Sequence, residues 1–182
     1  MTSIVLPGGE RYEVRGGAAV GAGTAPATSR IAYAAAHVVA DPLAENVPGA
    51  PAVLDWDATL AFRHHLWRHG LGVAEAMDTA QRGMGLDYPA VRELVRRSAA
   101  EARSVGGRIV AGVATDQLDG PATVAEVLDA YRAQLADVVE AGAVPVIMCS
   151  RHLAAAAKGP DDYVSVYSTL LSEVDGPVLL HW

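Results

Sequence analysis

Residues 108–150, RIVAGVATDQLDGPATVAEVLDAYRAQLADVVEAGAVPVIMCS, decide the fold class of this chain. Two short apolar runs, at 109–113 and 144–148, flank a segment in which apolar side chains recur at helical spacing from Val124 to Val139. Strands that are apolar on both faces and alternate with helices form parallel sheets covered by helices. This stretch therefore predicts a strand–helix–strand unit of an α/β fold.

The same pattern extends in both directions along the chain. Further strands are predicted at 31–39, 73–77 and 178–181, with amphipathic helices between them. The residues that introduce the last four strands, Gly72, Arg108, Val144 and Pro177, are 36, 36 and 33 residues apart. This interval is typical of the units of a (β/α)8 TIM barrel. No Gly-x-Gly-x-x-Gly motif follows the first strand, which argues against an open nucleotide-binding sheet.

The chain divides into two parts by composition. Residues 1–29 hold a predicted hairpin, with 4–7 paired to 11–15 across two glycines, and a linker of small residues at 16–28. Residues 30–182 hold the first four and a half βα units of the predicted barrel. No helical segment follows the strand at 178–181, so we expect the barrel to be truncated at strand five.

Composition excludes several classes of protein. Of the 182 residues, 51% are hydrophobic, the mean hydropathy is +0.20, and the net charge is −7. The chain has no basic stripe that would neutralise phosphates, and its acidity disfavours anionic membranes, so we expect neither nucleic acid nor membrane as a partner. Cys149 is the single cysteine, which excludes an internal disulfide. The first 23 residues lack the pattern of a signal peptide, and we expect a cytoplasmic location.

The segment after the first predicted strand is expected to form a helix capped by Asp55 or Asp57. Its predicted inner face carries Leu60, His64, Trp67 and Leu71. The histidines at 64, 65 and 69 alternate with arginines on this outer helix, so we interpret them as packed or solvated side chains rather than metal ligands. We also expect Cys149 to be a packed small residue, and Lys158 to be solvated in a loop over 154–160.

Polar residues follow the predicted strands at their C-terminal ends, where barrel enzymes carry their chemistry. We predict a catalytic role for His37, Glu75 and His181, and substrate binding by Asp78, Thr79, Gln81, Arg82, Asp116, Ser150 and Arg151. Six of them have an alternative interpretation: a hydrogen-bonded structural histidine for His37, a buried ion pair with an arginine for Glu75, helix or loop capping for the two aspartates, and solvated surface positions for the two arginines.

Three stretches carry a family resemblance: RIAYAAAHVVAD at 30–41, DWDATLAFRHHLWRHGLGVAEAMDTAQRGMG at 55–85, and ATDQL at 114–118. They resemble the dihydrodipicolinate synthase-like proteins of unassigned function, which are similar to the dihydrodipicolinate synthase and N-acetylneuraminate lyase superfamily. The resemblance covers residues 29–182. It implies a class I aldolase barrel in which a lysine on strand six forms an imine with a 2-keto acid such as pyruvate.

Two superfamily motifs depart from their usual form here. The Gly-Thr-Thr-Gly-Glu loop after strand two falls at 78–82, where only Thr79 is retained. The catalytic tyrosine at the end of strand five falls on His181. The resemblance places the imine lysine beyond residue 182.

These observations favour a carbon–carbon lyase that acts on a small 2-keto acid through a lysine imine, without a cofactor or a metal. Lys158 lacks the apolar setting that a nucleophilic amine requires. One alternative is a metal-dependent hydrolase or isomerase that uses His37, Glu75, Asp116 and His181 around a divalent ion. Another is a non-catalytic barrel that binds a small molecule. For the full-length protein we expect a homo-oligomer.

Overall fold

The computed structural model describes residues 2–14, 30–47, 49–77, 82 and 85–182. The strands in these ranges are β1 (Thr2–Val5), β2 (Arg11–Val14), β3 (Tyr33–Ala35), β4 (Gly72–Glu75), β5 (Ile109–Val113), β6 (Val144–Met148) and β7 (Leu179–His181). The helices are α1 (Trp56–Arg68), α2 (Tyr88–Val105), α3 (Val124–Ala141), α4 (Arg151–Ala156) and α5 (Pro160–Ser172).

The first two strands form the predicted antiparallel hairpin, in which Thr2 pairs with Val14 and Val5 with Arg11, but β1 begins and ends two residues earlier than predicted. Gly8 and Gly9 in the turn have φ angles of 113° and 85°. Only glycine adopts such angles readily, and this explains the two glycines at the turn. The predicted linker at 16–28 lies outside the described residues.

The other five strands form a parallel sheet in the order β3-β4-β5-β6-β7, curled into a half-barrel. This order confirms the predicted succession of strands and differs from that of a nucleotide-binding open sheet. The first strand is shorter than predicted and covers only Tyr33–Ala35. Connections between neighbouring parallel strands are right-handed as a rule, which places their helices on one face of the sheet. In agreement with this, α1, α2 and α3 contact the strands and pack against each other in succession.

The register of the sheet separates the face beneath the helices from the concave face. Val73 aligns with Ile109, and Val113 with Ile147, on the helix-covered face, where Val73, Val113 and Ile147 are completely buried. Gly112 aligns with Val146, and Met148 with His181, on the opposite face. Side chains alternate between the two faces along each strand, so the register assigns each strand-end residue to a side.

Helices α1 and α3 begin at residues whose side chains cap the N-terminus, and α2 and α3 end at glycines. The Asp55 side chain caps α1 by accepting a hydrogen bond from Ala58 N. Thr123 and Glu126 form a reciprocal capping box at the start of α3. Helices α2 and α3 end at Gly106 and Gly142, which are both left-handed.

The prediction for the inner face of α1 was wrong, because each buried position lies one residue before the predicted one. The buried residues are Thr59, Arg63 and Leu66, whereas Leu60, His64, Trp67 and Leu71 are only half-buried. An arginine enters the buried face because Glu75 of β4 lies opposite it. The predicted loop at 154–160 was also wrong in part, since α4 extends to Ala156. Among the described residues, the helices are too short or too polar to cross a lipid bilayer.

Candidate functional site

Glu75 and Arg63 form a buried ion pair at the end of β4. Arg63 Nε and Nη2 each donate to one Glu75 oxygen at 2.8 Å, and both side chains are fully buried. Arg63 also donates to the carbonyl oxygens of Ala36 and His37 at the end of β3. The carboxylate of Glu75 is thus directed to the helix layer and fully paired. We therefore exclude Glu75 from the candidate site and assign it to a buried ion pair with an arginine, which was the alternative to a catalytic role.

Arg82 occupies the gap between the ends of β4 and β5. Its Nη1 donates to the carbonyl oxygens of Gly112, at 2.6 Å, and Ala76, at 3.3 Å. Its Nη2 donates to Asp116 Oδ1 at 2.8 Å and to the Gln134 side chain. The side chain is 6% exposed, and Nε, Nη1 and Nη2 each donate to a group of the chain. Arg82 therefore fixes the strand ends and does not present a free fork to a substrate carboxylate.

Asp116 is the anionic centre of this network. Burial raises the pKa of its carboxyl, but the charge of Arg82 and the hydrogen bonds from Gln134 and Arg82 outweigh burial and hold the pKa below its usual value. Asp116 Oδ1 accepts three hydrogen bonds, from Arg82 Nε, Arg82 Nη2 and Gln134 Nε2. The buried Oδ2 accepts none among the described residues. Asp116 is consequently ionised and committed to its neighbours through one oxygen.

A second cluster joins the ends of β5 and β6. Thr115 Oγ1 lies 2.5 Å from Ser150 Oγ and 3.0 Å from His152 Nδ1. Ser150 also caps α4, because its hydroxyl accepts a hydrogen bond from Leu153 N. Thr115 and Ser150 are buried, whereas His152 is half-buried. These three residues are the hydroxyl–imidazole cluster.

Arg151 stands next to this cluster as the first residue of α4. Its side chain is exposed, and it forms no hydrogen bond or ion pair with the described part of the chain. A guanidinium with no internal partner at the C-terminal end of the sheet is available to a carboxylate. Of the predicted binding residues, Ser150 and Arg151 thus lie next to each other at the start of α4, and their role in substrate binding stays a prediction.

The remaining predicted residues are dispersed or lie outside the description. His37 is exposed beyond the end of β3, and His181 is exposed on β7, where it aligns with Met148 of β6. Asp78, Thr79 and Gln81 lie outside the described residues. Within the described ranges, no three histidine, cysteine or acidic side chains are grouped closely enough to hold a metal ion. The four residues of the metal alternative thus do not form one centre.

Sequence reasoning missed Arg63, Gln134 and His152. Gln134 falls on the buried stripe of α3 between Tyr131 and Val138, and a polar residue in an apolar stripe was a usable signal. His152 gave none, because its role depends on the side-chain positions of Thr115 and Ser150. The interpretation of Cys149 was wrong, since its side chain is exposed.

Comparison with known families places this half-barrel in one of them. A family model described as "Protein of unknown function (DUF993)" matches residues 7–182. The chain belongs to this family. The match covers the parallel sheet, its helices and the hydroxyl–imidazole cluster, and therefore includes every candidate site residue. No curated protein shows significant similarity to the chain.

Proposed function

We propose that this chain is the N-terminal half of a (β/α)8 barrel of the aldolase type, and that its strand ends bind a small 2-keto acid for carbon–carbon lyase chemistry. One observation carries the proposal. The hydroxyl–imidazole cluster lies at the C-terminal ends of β5 and β6 beside Arg151, which forms no hydrogen bond or ion pair with the described residues. In barrel enzymes this end of the sheet is where substrates bind and react.

The half-barrel and the resemblance to dihydrodipicolinate synthase-like proteins support the same reaction class. A 2-keto acid has a carboxylate for a guanidinium and a carbonyl oxygen for a neutral donor, and the candidate site supplies both kinds of group. The imine nucleophile must come from elsewhere than Lys158. Its side chain is exposed between α4 and α5, while a nucleophilic amine needs desolvation or a neighbouring cation.

Titration of the ¹⁵N-labelled chain with pyruvate tests the proposal. We expect saturable shift changes at the amides of Thr115 and residues 150–152. Arg151→Ala should weaken binding about tenfold, since it removes a charge-assisted hydrogen bond. Borohydride with pyruvate should leave the mass of this chain unchanged.

Arg68→Ala is the matched control. Arg68 is also exposed, but it is the last residue of α1 and lies at the N-terminal end of the sheet strands, away from the candidate site. The reason is that α1 runs back from the end of β3 to the start of β4. Its replacement should leave pyruvate affinity unchanged. Shift changes confined to other surfaces, or an adduct on Lys158, would contradict the proposed function.

A further inference from the structure

The edge of the sheet at β7 carries an apolar cleft beside α5, which we call the β7 cleft. Tyr163 and Tyr167 of α5 form one wall and Leu180 and Trp182 the other, around a volume of about 280 Å³. Leu180 aligns with the buried Ile147 of β6, so the cleft opens on the side of the sheet that the helices cover. Among the described elements, β7 pairs with β6 alone, and its outer backbone groups are free to bind another strand.

The opposite edge of the sheet, at β3, presents apolar side chains of its own. Helix α1 contacts α2 through His64, whose Nε2 lies 2.8 Å from Glu101 Oε2. Phe62 lies two residues before His64, a rotation of about 200° around the helix, and therefore projects away from α2 and toward the open edge. Phe62 is 36% exposed, and Ile31, just before β3, is 57% exposed.

Opposite charges stand beside the two edges at the same end of the sheet. Arg30 precedes β3 by three residues and Asp175 precedes β7 by four, so both lie at the N-terminal ends of their strands. Both side chains are exposed, and neither forms an ion pair with the described residues. A strand pairing that is parallel, like every other pairing in this sheet, brings such an arginine and such an aspartate to the same end.

We propose that two copies of this chain close into one barrel, in which β7 of each copy pairs in parallel with β3 of the other and the partner's Phe62 enters the β7 cleft. Two curled sheets of five strands then form a ring of ten, in which no strand edge is left open. A ring closed by a two-fold axis holds two copies and no more. The exposed apolar side chains at the two junctions bury on the order of 1,000 Å² in total, which reaches the size of a specific interface.

This closure also determines where the two candidate sites lie. All ten strands point in the same direction, so the hydroxyl–imidazole clusters of both copies line one mouth of the barrel. The inference goes beyond the proposed function, because the two edges pair whether or not this mouth binds a 2-keto acid.

Exchange of the charges at the edges tests the pairing directly in sedimentation equilibrium. Arg30→Asp and Asp175→Arg should each weaken dimerisation about tenfold at low salt, because each places like charges together at both junctions. The two substitutions in one chain restore opposite charges at both junctions and should return the dissociation constant to within about threefold of the wild type. Arg68→Asp, which changes the net charge as Arg30→Asp does but lies away from both edges, should have no effect.

The contact in the cleft has its own test. Phe62→Ser should weaken dimerisation about tenfold or more, because both junctions lose an apolar side chain that the partner's cleft would bury. Val105→Ser is the matched control, since Val105 ends α2 between two other helices and is 51% exposed. It should leave the dissociation constant unchanged. Circular dichroism of each variant establishes that the monomer is folded.

The size of the assembly decides whether the ring closes. We expect monomer and dimer in equilibrium and no larger species. Oligomers that lengthen without limit overturn the closure, because they require edges that pair in an open succession. A monomer at every concentration, as expected if the chain's own hairpin covered the cleft, overturns the inference. A folded double variant that dimerises as weakly as the single variants overturns the pairing of β7 with β3.

Discussion

At the scale of single residues, we expect the Arg63–Glu75 ion pair to contribute strongly to the stability of the fold. Glu75→Gln should destabilise the chain by about 3–5 kcal/mol, because it leaves a completely buried guanidinium without its counter-charge. Denaturant unfolding monitored by circular dichroism measures this change. Glu93→Gln is the control: Glu93 binds Arg96 and Arg97 on the surface of α2, where such pairs contribute less than about 1 kcal/mol. Equal losses in the two variants would refute the assignment of a buried structural role to Glu75.

At the scale of secondary-structure elements, Gly112 controls how closely the ends of β4, β5 and β6 approach. A Cβ atom at Gly112 would lie 2.7 Å from Met148 Sδ, 2.8 Å from Ala76 O and 2.9 Å from Arg82 Nη1. Gly112→Ala should therefore displace the strand ends and cost about 1–3 kcal/mol. Gly159→Ala, where the added atom meets nothing within 4 Å, should cost less than Gly112→Ala in thermal unfolding, because it loses only the preference for glycine over alanine at the N-cap of α5. A neutral Gly112→Ala would show that Arg82 does not fill this gap.

The elements also show what the sequence could and could not predict. Strand positions and order followed from apolar runs and their spacing, since these depend on local pattern. The inner face of α1 did not, because Arg63 is buried only through its pairing with Glu75, a residue twelve positions later. The hydroxyl–imidazole cluster was likewise hidden, since it requires the ends of β5 and β6 to be aligned before Thr115 meets Ser150 and His152.

At the scale of the whole molecule, the two outer strands of the half-barrel predict association. Within the described chain, β3 and β7 each pair with one neighbour only, and Leu180 and Trp182 are 59% and 82% exposed. An apolar cavity of about 280 Å³ lies beside β7, lined by residues that include Ile147, Tyr163, Tyr167 and Leu180. Unpaired strand edges and contiguous apolar surface both promote self-association.

Sedimentation velocity should accordingly show oligomers that increase with protein concentration. Leu180→Asp should reduce them by placing a charge on the outer strand. Leu43→Asp changes an exposed leucine in the loop after β3 and should have no effect. A monomer at every concentration, with cooperative unfolding, would disprove the association.

The succession β3-β4-β5-β6-β7 has a consequence for the growing polypeptide on the ribosome. Each new strand of the sheet lies beside the one made just before it, so its hydrogen-bonding partner already exists when it is synthesised. Loop closure between neighbours spans only the intervening unit, and the entropic cost of each addition stays nearly constant as the chain lengthens. The sheet can therefore grow in one direction, from the N-terminal side, without any strand waiting for a distant part of the chain.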